Sequence, residues 1–214
     1  MAKPTVNWAL MVITDRGLSL GRDPLDVTRA AIEGGATVVQ LRDKDVSTRE
    51  MYTLGLALRE LTRRLGVPLI VNDRLDIALA IEADGLHVGQ SDLPADVSRR
   101  LLGPDRILGV SAETPDQARI AWSDGADYLG VGTVYATGSK ADAGAPLGLD
   151  GLAEVARATP LPVVAIGGIG PGRVGPCVSH GAHGVAVISA IVSQPDPEAA
   201  ARRLRAEVEA ARRA

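Results

Sequence analysis

Eight short apolar runs recur along the chain, at Leu10–Ile13, Thr37–Leu41, Val67–Val71, Gly85–Val88, Ile107–Val110, Asp127–Val131, Leu161–Ile166 and Gly184–Val187. In each, aliphatic and β-branched residues follow one another without polar alternation, the pattern of a strand covered on both faces. Between them lie segments with helical spacing, such as Arg49–Leu65 with Leu54, Leu58, Leu61 and Leu65, and Asp116–Trp122 ahead of Gly125. Strand alternating with helix over short connections predicts parallel strands joined by right-handed crossovers. Eight such units predict an α/β fold, a single-domain (β/α)8 barrel over residues 1–214, its core at about 10–191 and a last helix at about 196–213. The weakest element is the helix between Pro171 and His180, because Pro176 falls inside it and would kink or delay it. Junctions at Gly35-Ala36-Thr37, Ala83-Asp84-Gly85, Gly125-Ala126-Asp127 and Gly181-Ala182-His183 each precede a strand, as good helix-to-strand loops in one domain without a linker.

Composition narrows the partners. Lys and Arg sum to 23 against 26 Asp and Glu, a net charge of −3 with no basic footprint for nucleic acid or an anionic membrane. The single cysteine, Cys177, excludes an intramolecular disulfide and a thiolate metal cluster, is expected to be a buried small residue, and fits a reducing cytoplasm. The first residues lack the features of a signal peptide, and no apolar run reaches membrane-spanning length. The expected protein is therefore cytoplasmic and works on small molecules. Its oligomeric state is open, a homo-oligomer being compatible with everything above. Ala199–Ala214 is Arg-rich but interspersed with Ala, Leu, Val and Glu207, as in an exposed amphipathic helix.

In such a barrel the chemistry sits where strands end and the following loops begin. Gln40, Arg42 and Lys44 fall after the second run, Asn72 and Asp73 after the third, Gln90 and Asp92 after the fourth, and Ser111 after the fifth. Thr137-Gly138-Ser139-Lys140 follows the sixth, Gly167-Gly168 the seventh and Ser189 the eighth. Singly, Asp73, Asp92 and Ser111 each suit a helix N-cap. Jointly, one face collects cations, acids and amides while the opposite end holds mostly small apolar junctions. Arg42, Lys44 and Lys140 can neutralise an anion, and the hard oxygens of Asp73 and Asp92 can hold a Mg²⁺ that bridges to phosphate. A diphosphate satisfies all of them. A second anion site is readable where glycines after the seventh strand meet a helix start after the eighth, although Gly167-Gly168 alone also suits a plain turn. His87 is expected to pack or line the barrel, and His180 and His183 to be structural.

These segments resemble the thiamine phosphate synthases. The resemblance runs in order through Ile13-Thr-Asp15, Gly35-Ala-Thr-Val-Val-Gln-Leu-Arg-Asp-Lys44, Pro68-Leu-Ile-Val-Asn-Asp-Arg74 and Gly85-Leu-His-Val-Gly-Gln-Ser-Asp-Leu93. It continues through Leu108-Gly-Val-Ser111, Asp127-Tyr-Leu-Gly-Val-Gly132, Thr137-Gly-Ser-Lys-Ala-Asp-Ala143, Ala165-Ile-Gly-Gly-Ile169 and Gly184-Val-Ala-Val-Ile-Ser-Ala-Ile191. The resemblance implies a (β/α)8 barrel that joins a hydroxymethylpyrimidine diphosphate to a (carboxy)thiazole phosphate, giving thiamine phosphate and diphosphate. It implies that Gln40, Leu41, Arg42, Asp43, Lys44, Asn72, Ser111 and Lys140 bind the pyrimidine diphosphate, with Arg42, Lys44, Ser111 and Lys140 acting in catalysis. Asp73 and Asp92 would hold Mg²⁺, and Thr137, Gly138, Ser139, Gly168, Ile188 and Ser189 the thiazole phosphate.

The chain departs from the family where Glu is often found in place of Asp43, Thr in place of Ser139 and His in place of Glu113. Ser139 keeps a hydroxyl donor; Asp43 points away from its neighbours if strand alternation persists. Arg74 is open to two roles, pairing with a surface acid or adding to the anionic pocket. The rival readings are a thiazole tautomerase, which has no diphosphate to ionise, and a non-catalytic barrel that senses a phosphorylated metabolite. Retention of Arg42, Lys44, Asp73, Asp92 and Lys140 favours the transferase.

Overall fold

The computed structural model describes residues 3, 5–43, 45–138 and 145–213. Eight parallel strands close in sequence order, β1 (Leu10–Ile13), β2 (Val38–Leu41), β3 (Leu69–Asn72), β4 (Gly85–Val88), β5 (Ile107–Ala112), β6 (Tyr128–Val131), β7 (Val163–Ile166) and β8 (Gly184–Val187). β8 pairs back onto β1, with Leu10 opposite Val185, so the expected (β/α)8 barrel is the architecture found. Helices α1 (Pro24–Glu33), α2 (Thr48–Leu65), α3 (Leu75–Ala80), α4 (Ala95–Leu102), α5 (Pro115–Ser123), α6 (Gly148–Arg157) and α7 (Val174–Ser179) return the chain between strands. A single turn, α8 (Ser189–Val192), follows β8, and α9 (Pro197–Arg213) packs against α1 and α7. No helix among the described residues is long and apolar enough to cross a membrane.

Four strands start later than the apolar runs imply, leaving Thr37, Val67-Pro68, Asp127 and Leu161-Pro162 outside them. Pro68 and Pro162 have no N–H to donate, and only their carbonyls serve, to Val39 and Leu129. The junctions preceding alternate strands share a device that their sequence similarity did not disclose. Thr37 Oγ1, Asp84 Oδ2, Asp127 Oδ2 and His183 Nδ1 each accept a backbone N–H at the start of the strand before, from Leu10, Leu69, Leu108 and Val163 respectively, the first residue of β1, β3 and β7 and the second of β5. Donors near the start of those strands, at the bottom of the barrel, are thereby satisfied. Arg59 and Arg99 hold Asp84 and Asp127 in place from α2 and α4, at 2.7 and 2.6 Å.

Helix starts follow local chemistry. Ser47 and Glu50 form a reciprocal capping box that opens α2, Ser47 N donating to Glu50 Oε2 at 2.9 Å. Pro176 neither kinks nor breaks α7, because the helix begins at Val174 and places the proline in the first turn, where a missing N–H costs no intrahelical bond. Ridge-filling Val, Leu, Ile and Ala make the core, and the bottom is closed by Trp8, whose ring stacks on Tyr128 with centroids 4.2 Å apart.

Candidate active site

A cavity of about 1070 Å³ opens at the carboxyl ends of the strands. Pockets for one small ligand span roughly 300 to 1,000 Å³, so this one has room for two small molecules side by side. Its polar lining divides into two sides.

Loops after β1 to β5 build the first side. Thr14 Oγ1 accepts from Arg42 N at 2.9 Å and donates to Arg42 O at 3.0 Å, tying the end of β1 to the end of β2. Arg42 is thereby drawn into the cavity wall, where its Nη1 donates to Asp15 Oδ2 at 2.8 Å. Its Nε is buried and has no hydrogen-bond partner among the described residues. A guanidinium held by one carboxylate with a donor left over is suited to an anionic ligand. Gln40 also lines the cavity, from within β2 and not after it; Asn72 and Ser111 likewise sit inside β3 and β5.

Asp73 and Asp92 line the same cavity from the loops after β3 and β4. Asp73 sits at φ 62, a left-handed conformation that side chains adopt at a cost, and its N–H donates to His87 O at 2.8 Å. Asp92 Oδ2 accepts from Gly89 N at 2.7 Å, which orients the carboxylate. Among the described residues no three His, Cys, Asp or Glu side chains gather as a metal cluster. Two hard carboxylates lining one cavity suit Mg²⁺, which keeps water and substrate oxygens for its other positions.

His87, on β4, lines the cavity floor between Tyr128 and Ser111, with Nδ1 2.8 Å from Tyr128 Oη and Nε2 3.0 Å from Ser111 Oγ. Gln90 Nε2 donates to Ser111 O at 2.6 Å. Burial pushes the Tyr128 phenol far above its ordinary range, against a weaker opposing effect of a Gln40 hydrogen bond, so it stays protonated.

The second side comes from β6, β7 and β8. Thr137, Gly138, Gly168, Ile188 and Ser189 all line the cavity. Gly168 has φ +62, and a Cβ there would lie 2.6 Å from Ala136 O and 2.7 Å from Tyr135 O. Only glycine lets the loops after β6 and β7 approach so closely, and the backbone there is exposed to a ligand. Arg173, a cation that the strand-end pattern overlooked, lines the same side. Its Nη1 donates to Gly168 O at 2.7 Å and its guanidinium lies 4.7 Å over the Tyr135 ring. Burial raises the Cys177 thiol to about 11, partly offset by a hydrogen bond with Tyr135, so it is no thiolate nucleophile.

Some expected residues lie elsewhere. Leu41 is fully buried and points outward, its side chain near the space a Cβ at Gly55 of α2 would take. Asp43 pairs with Arg16 at 3.1 Å, outside the cavity, as strand alternation implied. Neither side chain lines the cavity, because the pleat turns both from the barrel interior. Arg74 pairs with Asp76 at 2.5 Å and donates to Thr48 Oγ1 at 3.0 Å, which makes it a surface residue. The same guanidinium holds the Asp76 carboxyl below the usual range. Glu113 lines the rim. Lys44, Ser139 and Lys140 lie outside the described residues.

Comparisons with known proteins converge. Residues 10–191 match the family model described as thiamine monophosphate synthase. A thiamine-phosphate synthase of Moorella thermoacetica is 57% identical over 205 residues, covering 96% of this chain and 98% of that protein. One from Chloroflexus aurantiacus is 56% identical, covering 95% and 94%. Among solved structures, a thiamine phosphate pyrophosphorylase from Pyrococcus furiosus superposes with a TM-score of 0.87 at 40% identity, covering 96% of this chain and 97% of that one.

Proposed function

The chain belongs to the thiamine monophosphate synthase family, and from that premise we propose that it joins a pyrimidine methyl diphosphate to a thiazole phosphate, releasing diphosphate and forming thiamine phosphate. The observation that carries this reading is one cavity with two chemically distinct sides: Arg42 with an unpaired buried Nε beside two carboxylates, and a backbone cradle at Gly168 and Ser189.

The pyrimidine diphosphate lies on the first side, contacted by Gln40, Arg42, Asn72 and Ser111, with Lys44 and Lys140 adding charge. The CH₂–O bond breaks with both electrons leaving on the diphosphate oxygen, while the aminopyrimidine ring delocalises the positive charge left on the CH₂ carbon. Asp73 and Asp92 would hold Mg²⁺, which when bound supplies further neutralisation of the leaving group. Arg42 stabilises the charge that grows on that oxygen, a stronger interaction in the transition state than before it. Thr137, Ser139, Gly168 and Ser189 hold the thiazole phosphate so that the thiazole nitrogen faces the CH₂ carbon, and its lone pair forms the new C–N bond. No described residue is required as a general base, because the nitrogen that attacks carries no proton.

Mixing both substrates with Mg²⁺ and following diphosphate together with thiamine phosphate tests the reading. Equal release of the two is expected. Binding of either substrate without diphosphate release would overturn it in favour of a sensor or an isomerase.

A further inference from the structure

Tyr128 is the largest fully buried side chain among the described residues. His87 on β4, Gly109 on β5 and Tyr128 on β6 lie side by side in the ladder, His87 opposite Gly109 and Gly109 opposite Tyr128. The middle strand contributes no side chain at that level, and the imidazole and phenol meet across it at 2.8 Å. A Cβ at Gly109 would fall on the Tyr128 ring and 2.5 Å from His87 Nδ1, and one at Gly130 would lie 2.9 Å from His87 Cε1. Glycine weakens a strand interior, so two of them here mark a slot made for this pair. Beneath the slot, the Trp8 ring stacks on the phenol at an interplanar angle of 28°. Above it, His87 Nε2 reaches Ser111 Oγ at 3.0 Å.

The direction of this chain of hydrogen bonds decides what Ser111 offers the cavity. A neutral imidazole has one donor and one acceptor nitrogen. If Nδ1 carried the proton, Ser111 would spend its hydrogen on Nε2 and present only lone pairs to a ligand. With the proton on Nε2, Ser111 accepts from the imidazole and its own hydrogen turns toward the cavity. The buried phenol stays protonated, so its hydroxyl has a hydrogen to give the Nδ1 that lies 2.8 Å away. Hydrogen bonds running in one direction also polarise each other favourably.

We infer that Tyr128 is a positioning residue: its hydroxyl fixes His87 as the Nε2–H tautomer and thereby fixes Ser111 as a hydrogen-bond donor to the pyrimidine diphosphate. The identity of that ligand rests on the function proposed above; the tautomer does not.

Tyr128→Phe removes the hydroxyl and keeps the ring that stacks on Trp8 and fills the space beside Gly109. Long-range ¹H–¹⁵N spectra of the full chain without substrate read the tautomers of its 3 histidines, with His87→Asn supplying the assignment. Nε2 of His87 is expected to be protonated and Nδ1 bare in the parent protein, and the two forms to mix in Tyr128→Phe. Kinetically, Tyr128→Phe should lower kcat about tenfold and change the KM for the pyrimidine diphosphate far less, as loss of one oriented donor to a developing charge requires. In a Ser111→Ala background the same substitution should cost almost nothing further, because it acts through Ser111. A parent protein with Nδ1–H at His87, an unchanged tautomer in Tyr128→Phe, or an equal loss of kcat in both backgrounds would each overturn the inference. Failure of the parent protein to release diphosphate at all would instead overturn the proposed function, while the spectra still decide the tautomer.

Discussion

Asp15, at the end of β1, holds Arg42, at the end of β2, through an Oδ2–Nη1 contact of 2.8 Å, with the two side chains only 18% and 9% exposed. Their separation of 27 residues is bridged by the register that sets Ile13 opposite Gln40. A pair this sheltered is costly to break, because the remaining charge stays desolvated. Asp15→Ala should lower unfolding free energy by about 2 kcal/mol, measured by urea titration. It should also raise the KM for the pyrimidine diphosphate about tenfold, since Arg42 loses the anchor that aims it. An unaltered KM would mean that Arg42 does not meet that substrate.

Asp73 and Asp92 differ in what else they do, and their variants should differ accordingly. Asp73 occupies a left-handed backbone conformation that Asn tolerates and Ala does not, so Asp73→Asn should keep stability whereas Asp73→Ala should lose about 1 kcal/mol. Both should abolish Mn²⁺ binding in place of Mg²⁺, read by electron paramagnetic resonance. Asp92→Asn keeps an oxygen for Gly89 N and should likewise lose the ion without unfolding. Retained Mn²⁺ affinity in both Asn variants would remove these carboxylates from the metal site.

His183 makes the fold sensitive to acid. Burial, aided by Arg212, lowers its pKa below the ordinary 6.5, and its Nδ1 accepts the Val163 N–H, which a protonated ring could not do. The unfolded chain therefore binds this proton more readily than the folded one. Stability is full above about 6.5 and declines as pH falls through the lowered folded value. His183→Asn, whose side-chain oxygen accepts without titrating, should flatten the decline between about pH 7 and pH 5, measured as thermal midpoint against pH. A decline of equal steepness in the variant would assign it to other groups.

The barrel was legible because its strands are buried on both faces and so stand out as unbroken apolar runs, and because one end of each strand carries the chemistry. Gln40, Arg42, Asn72, Asp73, Asp92 and Ser111 were placed on one face by counting strand ends alone, and all line the cavity. What escaped needed register. Asp15 is visible as part of a motif but not as the partner of Arg42, and nothing around Gly109 in the sequence signals that Tyr128 and His87, 41 residues apart, meet across it. Leu41 and Asp43 were carried along with their neighbours, although the pleat turns them from the ligand side.

Arg173 was hidden for a different reason. It follows Gly170-Pro171-Gly172, a sequence that announces a turn and nothing about where the next side chain goes. The turn sends the guanidinium back over Tyr135 to Gly168 O, onto the side of the cavity proposed for the thiazole phosphate. Its Nη1 bond fixes the group in place, and no carboxylate among the described residues pairs with it, so its charge is available to an anion. A solvent-facing guanidinium contributes to ground-state attraction more than to bond breaking, which occurs on the other side. Arg173→Ala should therefore raise the KM for the thiazole phosphate about three- to tenfold, with kcat and the KM for the pyrimidine diphosphate near their parent values. Because exposed charges are screened, the difference between parent and variant should shrink as salt rises from about 0.05 M to 0.5 M. A variant that loses kcat with the thiazole KM unchanged would place Arg173 with the leaving diphosphate and reverse the assignment of the two sides.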